Sequence, residues 1–356
     1  FAGQGARAAG STLELVVAGR GGVPADAAAV ALNVTVAEPI GSGFVTVYPC
    51  GSTQPLASNL NYIKGAVVPN AVMAQIGTGG KVCLFVSNET QLIVDVNGYF
   101  PATSSFHSMN PARVLDTRPG QTTVDGVQQG EGIRTPGTIT QLQITGRASV
   151  PADATSVVLN VTVTEAQNAG FVTVYPCGTA IPTASNINFV TGSTVANLVV
   201  AKIGAGGAVC IYNNQGTHLV VDVNGYFPGT TSYHPLDPAR LLDTRPGMST
   251  IDTQFVGAGL LPAGTVSELT VAGRGGVPAN AATVVLNVTV TEPTAAGFIT
   301  VYPCGISTPL ASNLNYGIGT TVAIAAVVQV GSNGKVCLFN SGATQLVVDV
   351  NGYLSA

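Results

Sequence analysis

LNVTV, at Leu32–Val36, is the run on which the fold turns, and it recurs at Leu159–Val163 and Leu286–Val290. Leu32, Val34 and Val36 share one face of an extended chain, while Asn33 and Thr35 share the other. Successive strand side chains point to opposite faces, so the alternation predicts a half-buried antiparallel strand. Phe44 to Tyr48, Asn59 to Tyr62 and Leu92 to Gly98 alternate in the same way. Glycine-rich turns such as GSG (Gly41 to Gly43), GTGG (Gly77 to Gly80) and SNG (Ser332 to Gly334) separate these runs. With eight or nine such strands per unit and no amphipathic helix, the expected fold is all-β: three tandem antiparallel β-sandwich domains, jelly-roll-like.

The number three comes from self-similarity. VTVYPCG recurs at Val45, Val172 and, as ITVYPCG, at Ile299; VDVNGY recurs at Val94, Val221 and Val348. The period of 127 residues exceeds the roughly 20–50 of a solenoid coil or propeller blade and matches an independent domain. The units are expected at 1–104, 105–231 and 232–356. One segment breaks the pattern. FHSMNPARVLDTRPG (Phe106 to Gly120) and YHPLDPARLLDTRPG (Tyr233 to Gly247) have no third copy. Each reads as an ordered strand of the unit that follows it, so the first unit is expected to lack that strand. The vacant position would then be an assembly site filled by a neighbouring chain, or else a product of trimming or disorder at the N-terminus. Arg113, Asp116 and Arg118, with Arg240, Asp243 and Arg245, are the expected inter-domain and assembly residues, fixing the angle between units.

Composition excludes several classes. Charged residues are only 8% of the chain and the net charge is −4, so there is no basic surface for nucleic acid or anionic lipid. The longest apolar runs, such as Val322 to Val328, reach seven residues, well short of the roughly 20 a spanning helix needs. No secretion leader opens the chain, which is expected to be a mature or trimmed product.

Six cysteines recur as Cys50 and Cys83, Cys177 and Cys210, and Cys304 and Cys337. Even pairing without a Cys-x-x-Cys motif favours one structural disulfide per unit and an oxidising, extracellular setting. By the chain-entropy model each bridge stabilises its unit by roughly 3–4 kcal/mol. His107, His218 and His234 have no complete set of equivalents and read as surface or linker residues, not metal ligands. Asp95, Asp222 and Asp349, in DVNG, could be remnants of a calcium loop. The favoured reading pairs them with backbone amides or with arginine, for which Arg20, Arg147 and Arg274 are available. No metal and no cofactor is expected. A Lys–Asn crosslink common to all units is excluded at Lys81 and Lys335, because the middle copy has Ala208. The NVT sequons at Asn33, Asn160 and Asn287 lie within strands, so their Asn, like Asn59, Asn61 and Asn97, reads as a strand-bridging amide. The other possibility is an exposed Asn and Thr face that binds sugar with Tyr48, Tyr175 and Tyr302, helped by Tyr62 and Tyr99.

PARLLDTRPG, LNVTVTEP, GFVTVYPCG, SNLNY and VDVNGYF together resemble a tandem β-domain repeat of secreted actinobacterial surface proteins. The resemblance spans essentially the whole chain and implies an exported or cell-surface protein; the repeat carries no catalytic residues to map here. The first expectation is therefore a structural, non-enzymatic subunit of a fibre, pilus-like filament or surface assembly, a rod of domains that self-associates into a homopolymer. The second is a non-catalytic module binding polysaccharide or cell wall through three equivalent sites.

Overall fold

In the computed structural model, which describes residues 3–229 and 233–355, both faces of the LNVTV strand are buried. The first repeat forms β1 (Ser11–Val16), β2 (Ala27–Ala37), β3 (Gly43–Pro49), β4 (Leu60–Tyr62), β5 (Val68–Gln75), β6 (Lys81–Val86) and β7 (Gln91–Pro101). The second forms β8 (His107–Asp116), β9 (Thr138–Gln143), β10 (Ala154–Thr164), β11 (Gly170–Pro176), β12 (Ile187–Phe189), β13 (Val195–Lys202), β14 (Ala208–Asn213) and β15 (His218–Pro228). The third repeats that order with β16 (Tyr233–Asp243), β17 (Thr265–Thr270), β18 (Ala281–Thr291), β19 (Gly297–Pro303), β20 (Leu314–Tyr316), β21 (Val322–Gln329), β22 (Lys335–Asn340) and β23 (Gln345–Ser355). Three single-turn 3-10 segments are the helical elements among the described residues.

Each repeat builds two small antiparallel sheets, and the chain shuttles between them. The outer sheets run β1-β6-β3-β4, β9-β14-β11-β12 and β17-β22-β19-β20. The inner sheets run β5-β2-β7, β13-β10-β15-β8 and β21-β18-β23-β16. Inner edge strands β5, β13 and β21 all touch one another, which closes the arrangement about a common centre.

The expectation of three tandem sandwich domains is thereby corrected. The chain is a six-bladed, propeller-like ring of small sheets, and its repeats do not string out as a rod. The physical reason lies in the second face of the LNVTV strand. In β2, Val30, Leu32, Val34 and Val36 enter the first repeat's own core with Val45, Leu60 and Leu84. The alternate residues Ala29 and Ala31, with Ala71 and Met73 of β5, enter a different core. That core also holds Val158, Leu198 and Val200 of the second repeat and Val285, Ala325 and Ile324 of the third. A polar, small-residue face is therefore packed between repeats instead of facing water. The period misleads because one period supplies two interleaved sheets.

Buried amides join the repeats at this face. Asn160 Nδ2 donates to Ser58 O (2.6 Å), Asn287 Nδ2 to Ser185 O (2.6 Å) and Asn33 Nδ2 to Ser312 O (2.7 Å). These three bonds go once around the ring. Asn70 Nδ2 also donates to Asn160 Oδ1, and Asn197 Nδ2 to Asn287 Oδ1. At the closing seam the matching residue is Ile324, and Asn33 Oδ1 is left buried without a partner.

The disulfides Cys50–Cys83, Cys177–Cys210 and Cys304–Cys337 tie neighbouring strands of each outer sheet, with Cα–Cα distances of 5.0, 4.9 and 5.0 Å. They fit an oxidising, extracellular compartment. Among the described residues no helix is long and apolar enough to cross a membrane.

Candidate functional site: an open sheet edge

The inner sheet of the first repeat has three strands where its counterparts have four. In the second repeat β8 lies antiparallel to β15, with Leu115 opposite Val221, Arg113 opposite Asp222, Ala112 opposite Val223 and His107 opposite Tyr226. In the third, β16 lies on β23 in the same register. β7 carries the same residue pattern, and among the described residues no strand pairs with it on that side.

Four features hold the fourth strand where it exists. The first is a buried charge cluster. Arg113 grips Asp222 with two bonds (2.9 and 3.3 Å) and reaches Asp116 at 3.1 Å; Arg118 closes back on Asp116 at 2.7 Å. Arg240, Asp349, Asp243 and Arg245 repeat this arrangement. Burial pushes the Asp222 and Asp349 carboxyls above the usual carboxylate range, and the facing guanidinium opposes it. The second is an aromatic peg over glycine. A Cβ on Gly225 would lie 2.5 Å from the Phe106 ring, and one on Gly352 would lie 2.2 Å from the Tyr233 hydroxyl. The third is a stacked pair, His107 on Tyr226 at 4.9 Å and His234 on Tyr353 at 4.7 Å. The fourth is a hydroxyl bond: Leu219 N donates to Thr117 Oγ1 and Leu346 N to Thr244 Oγ1.

β7 keeps its half of this set. Ile93, Val96 and Tyr99 are 51%, 39% and 44% exposed, whereas Val220 and Val223 are buried. A Cβ on Gly98 would meet nothing within 4 Å. Partial burial raises the Asp95 carboxyl, with no cation among the causes.

Several expected roles move. Arg113, Asp116 and Arg118, like Arg240, Asp243 and Arg245, bind strands within a repeat; they do not set an angle between units along a rod. Asp222 alone reaches the seam, accepting from the Ser58 backbone amide. Arg147 and Arg274 are not the partners of Asp222 and Asp349. They pair with Asp125 and Asp252 (2.7 and 2.6 Å) and donate to Val114 O and Leu241 O on the added strands. Arg20 donates to Val16 O. DVNG forms a β-bulge at Asn97, Asn224 and Asn351, not a cation loop. Among the described residues no group of three or more His, Cys, Asp or Glu is placed to hold a metal.

The proposed glycan face is absent. Tyr48, Tyr175 and Tyr302 are buried beside the disulfides. His218 is buried too, bonded to Thr117 Oγ1 at 2.9 Å, against its reading as a surface residue. Asn59, Asn186 and Asn313 each accept from a β3-, β11- or β19-strand amide. The one sequence signal for the buried second face was its chemistry. LNVTV places Asn and Thr on that face in all three copies and never a charged residue.

No family model matches the chain, and no curated protein matches it. Two solved structures are similar at low score. One, from work on the triple jelly roll fold and turret assembly in an archaeal virus, has 8% identity and a TM-score of 0.21; the match covers 97% of this chain and 82% of that one. The other, from the atomic structure of Sulfolobus turreted icosahedral virus, has 7% identity and a TM-score of 0.22, covering 96% and 82%. Scores this low carry no argument about fold or function.

Proposed function

We propose that the protein is a structural, non-catalytic component of an extracellular or cell-surface assembly. The observation that carries this reading is that the repeated polar groups are engaged in holding the fold: Arg113 and Arg240 on carboxylates, and Asn33, Asn160 and Asn287 across the seams. A surface with few charges offers little repulsion against association.

The closed ring changes how an assembly would grow, because joining proceeds through edges of the ring instead of end to end along a rod. Electron microscopy of material purified at native concentration tests the reading. Ordered filaments or arrays are expected, and isolated, dispersed rings would overturn it. Polysaccharide binding through Tyr48, Tyr175 and Tyr302 has no support from their buried positions.

A further inference from the structure

Where the second repeat meets the third, a groove crosses the surface in two lobes that share Lys202 and Pro235. One lobe, of about 390 Å³, is walled by Thr155, Ile203 and His234. The other, of about 490 Å³, is walled by Leu236, Asp237 and Ile251. Both volumes fall in the range of small-ligand sites. The polar pair in this groove is particular to this junction. Lys202 ends β13 where the matching strands end in Gln75 and Gln329, and Asp237 of β16 stands where β8 has Asn110. We propose that the groove binds a short, neutral oligosaccharide laid across the Lys202–Asp237 pair. The site is independent of the assembly reading above.

The lining fixes the chemistry of the occupant. Lys202 Nζ donates to Asp237 Oδ1 at 3.0 Å, and the two side chains are 40% and 56% exposed. An ammonium has three donors and a carboxylate about four acceptor sites, so each keeps hydrogen-bonding capacity beyond this one bond. Neighbouring sugar hydroxyls, each able to donate and to accept, match a donor and an acceptor set side by side. The two charges cancel, which favours a neutral ligand over an anion. Thr155 Oγ1 donates to Phe227 O at 3.4 Å and keeps its acceptor lone pairs. Ile203, Pro235, Leu236 and Ile251 supply apolar surface for the C–H faces of pyranose rings. His234 is stacked on Tyr353, with ring centroids 4.7 Å apart, and the ring of Pro235 is rigid. Walls held in place before binding keep the ordering cost low. The polar groups come from side chains and not from a strand edge, which suits hydroxyls better than a peptide backbone.

The test is isothermal titration of the whole protein with linear tetrasaccharides of glucose, mannose and N-acetylglucosamine, and with tetragalacturonate as the acidic control. At least one neutral sugar should bind, at one site per chain. Lys202→Gln and Asp237→Asn install residues that the other repeats carry at these positions, so the fold should tolerate them, as an unchanged urea midpoint would show. Each should weaken binding by about 10-fold or more, the loss expected when a hydrogen bond to a charged group is removed. Gln75→Lys, at the matching place in the first repeat, should leave binding unchanged. Absence of binding by every neutral sugar overturns the proposal. So does tighter binding of tetragalacturonate, a stoichiometry of three per chain, or an affinity indifferent to both Lys202→Gln and Asp237→Asn.

Discussion

VDVNGY occupies two settings in one molecule. On β15 it is the middle of a four-stranded sheet, with Asp222 1% exposed and held at two points by Arg113. On β7 the same six residues form an edge, with Tyr99 exposed and Asp95 facing no arginine strand. β7 pairs with β2 in the same register as β15 pairs with β10, including the bulge after the valine. The added strand is thus not what shapes the sheet. It is a separable element, and what it contributes is burial, a charge pair and an aromatic peg.

The largest expected effect breaks that contrast at its charge. Arg113→Ala strips the counter-ion from the buried Asp222 carboxylate and leaves the buried Asp116 with Arg118 alone. Loss of one partner from such a pair costs about 3–5 kcal/mol, read as a lowered urea midpoint.

The seams sharpen the comparison next. Asn197 donates to Asn186 O and Asn287 Oδ1 and accepts from Ala325 N. Asn197→Ile leaves those buried groups unpaired and should cost at least about 2 kcal/mol. The reverse change at the closing seam, Ile324→Asn, gives Asn33 Oδ1 a donor while losing the burial of an aliphatic side chain. Its net effect should stay within about 1 kcal/mol of neutral. Equal losses from both changes would show that the seams do not differ as described.

Acid is the third probe. Hydrogen bonds from Arg147 and Arg274 lower the Asp125 and Asp252 carboxyls to about 2, below the roughly 3.9 of an unfolded aspartate. Each pair therefore adds stability above about pH 4 that is lost as the pH falls toward 2. With both carboxylates about 30% exposed, each is worth about 1 kcal/mol after screening. Asp125→Asn and Asp252→Asn together should flatten the stability profile between pH 4 and 2. The smallest effect is expected at Asp95→Ala, within about 0.5 kcal/mol, as for a surface substitution away from any network. A loss comparable to that of Arg113→Ala would mean that β7 is not an open edge.

Much of this was legible in the sequence. Strict alternation located the strands, the recurring cysteines located the bridges, and the strand-borne Asn residues pointed to structural amides. The burial of the second strand face was not legible from periodicity, because alternation says that two faces differ and not that one is wet. Asn33 and Thr35 are short enough to lie in a close interface, and the lack of charge beside them was the available clue. The partner of Asp222 was also misjudged. Arg147 recurs in every copy and looked the better match, but it is Arg113 that the antiparallel register sets opposite Asp222.

Residue-resolved amide hydrogen exchange on the whole protein tests the central claim most directly, that three repeats form one closed body with a single open inner edge. Core amides of β2, β10 and β18 should share one high protection, because their second faces lie in one interface. The outward amides of β7 should exchange with little protection while those of β15 and β23 exchange only with global opening. Three separate protection levels, one per repeat, or a β7 as protected as β15, would contradict it.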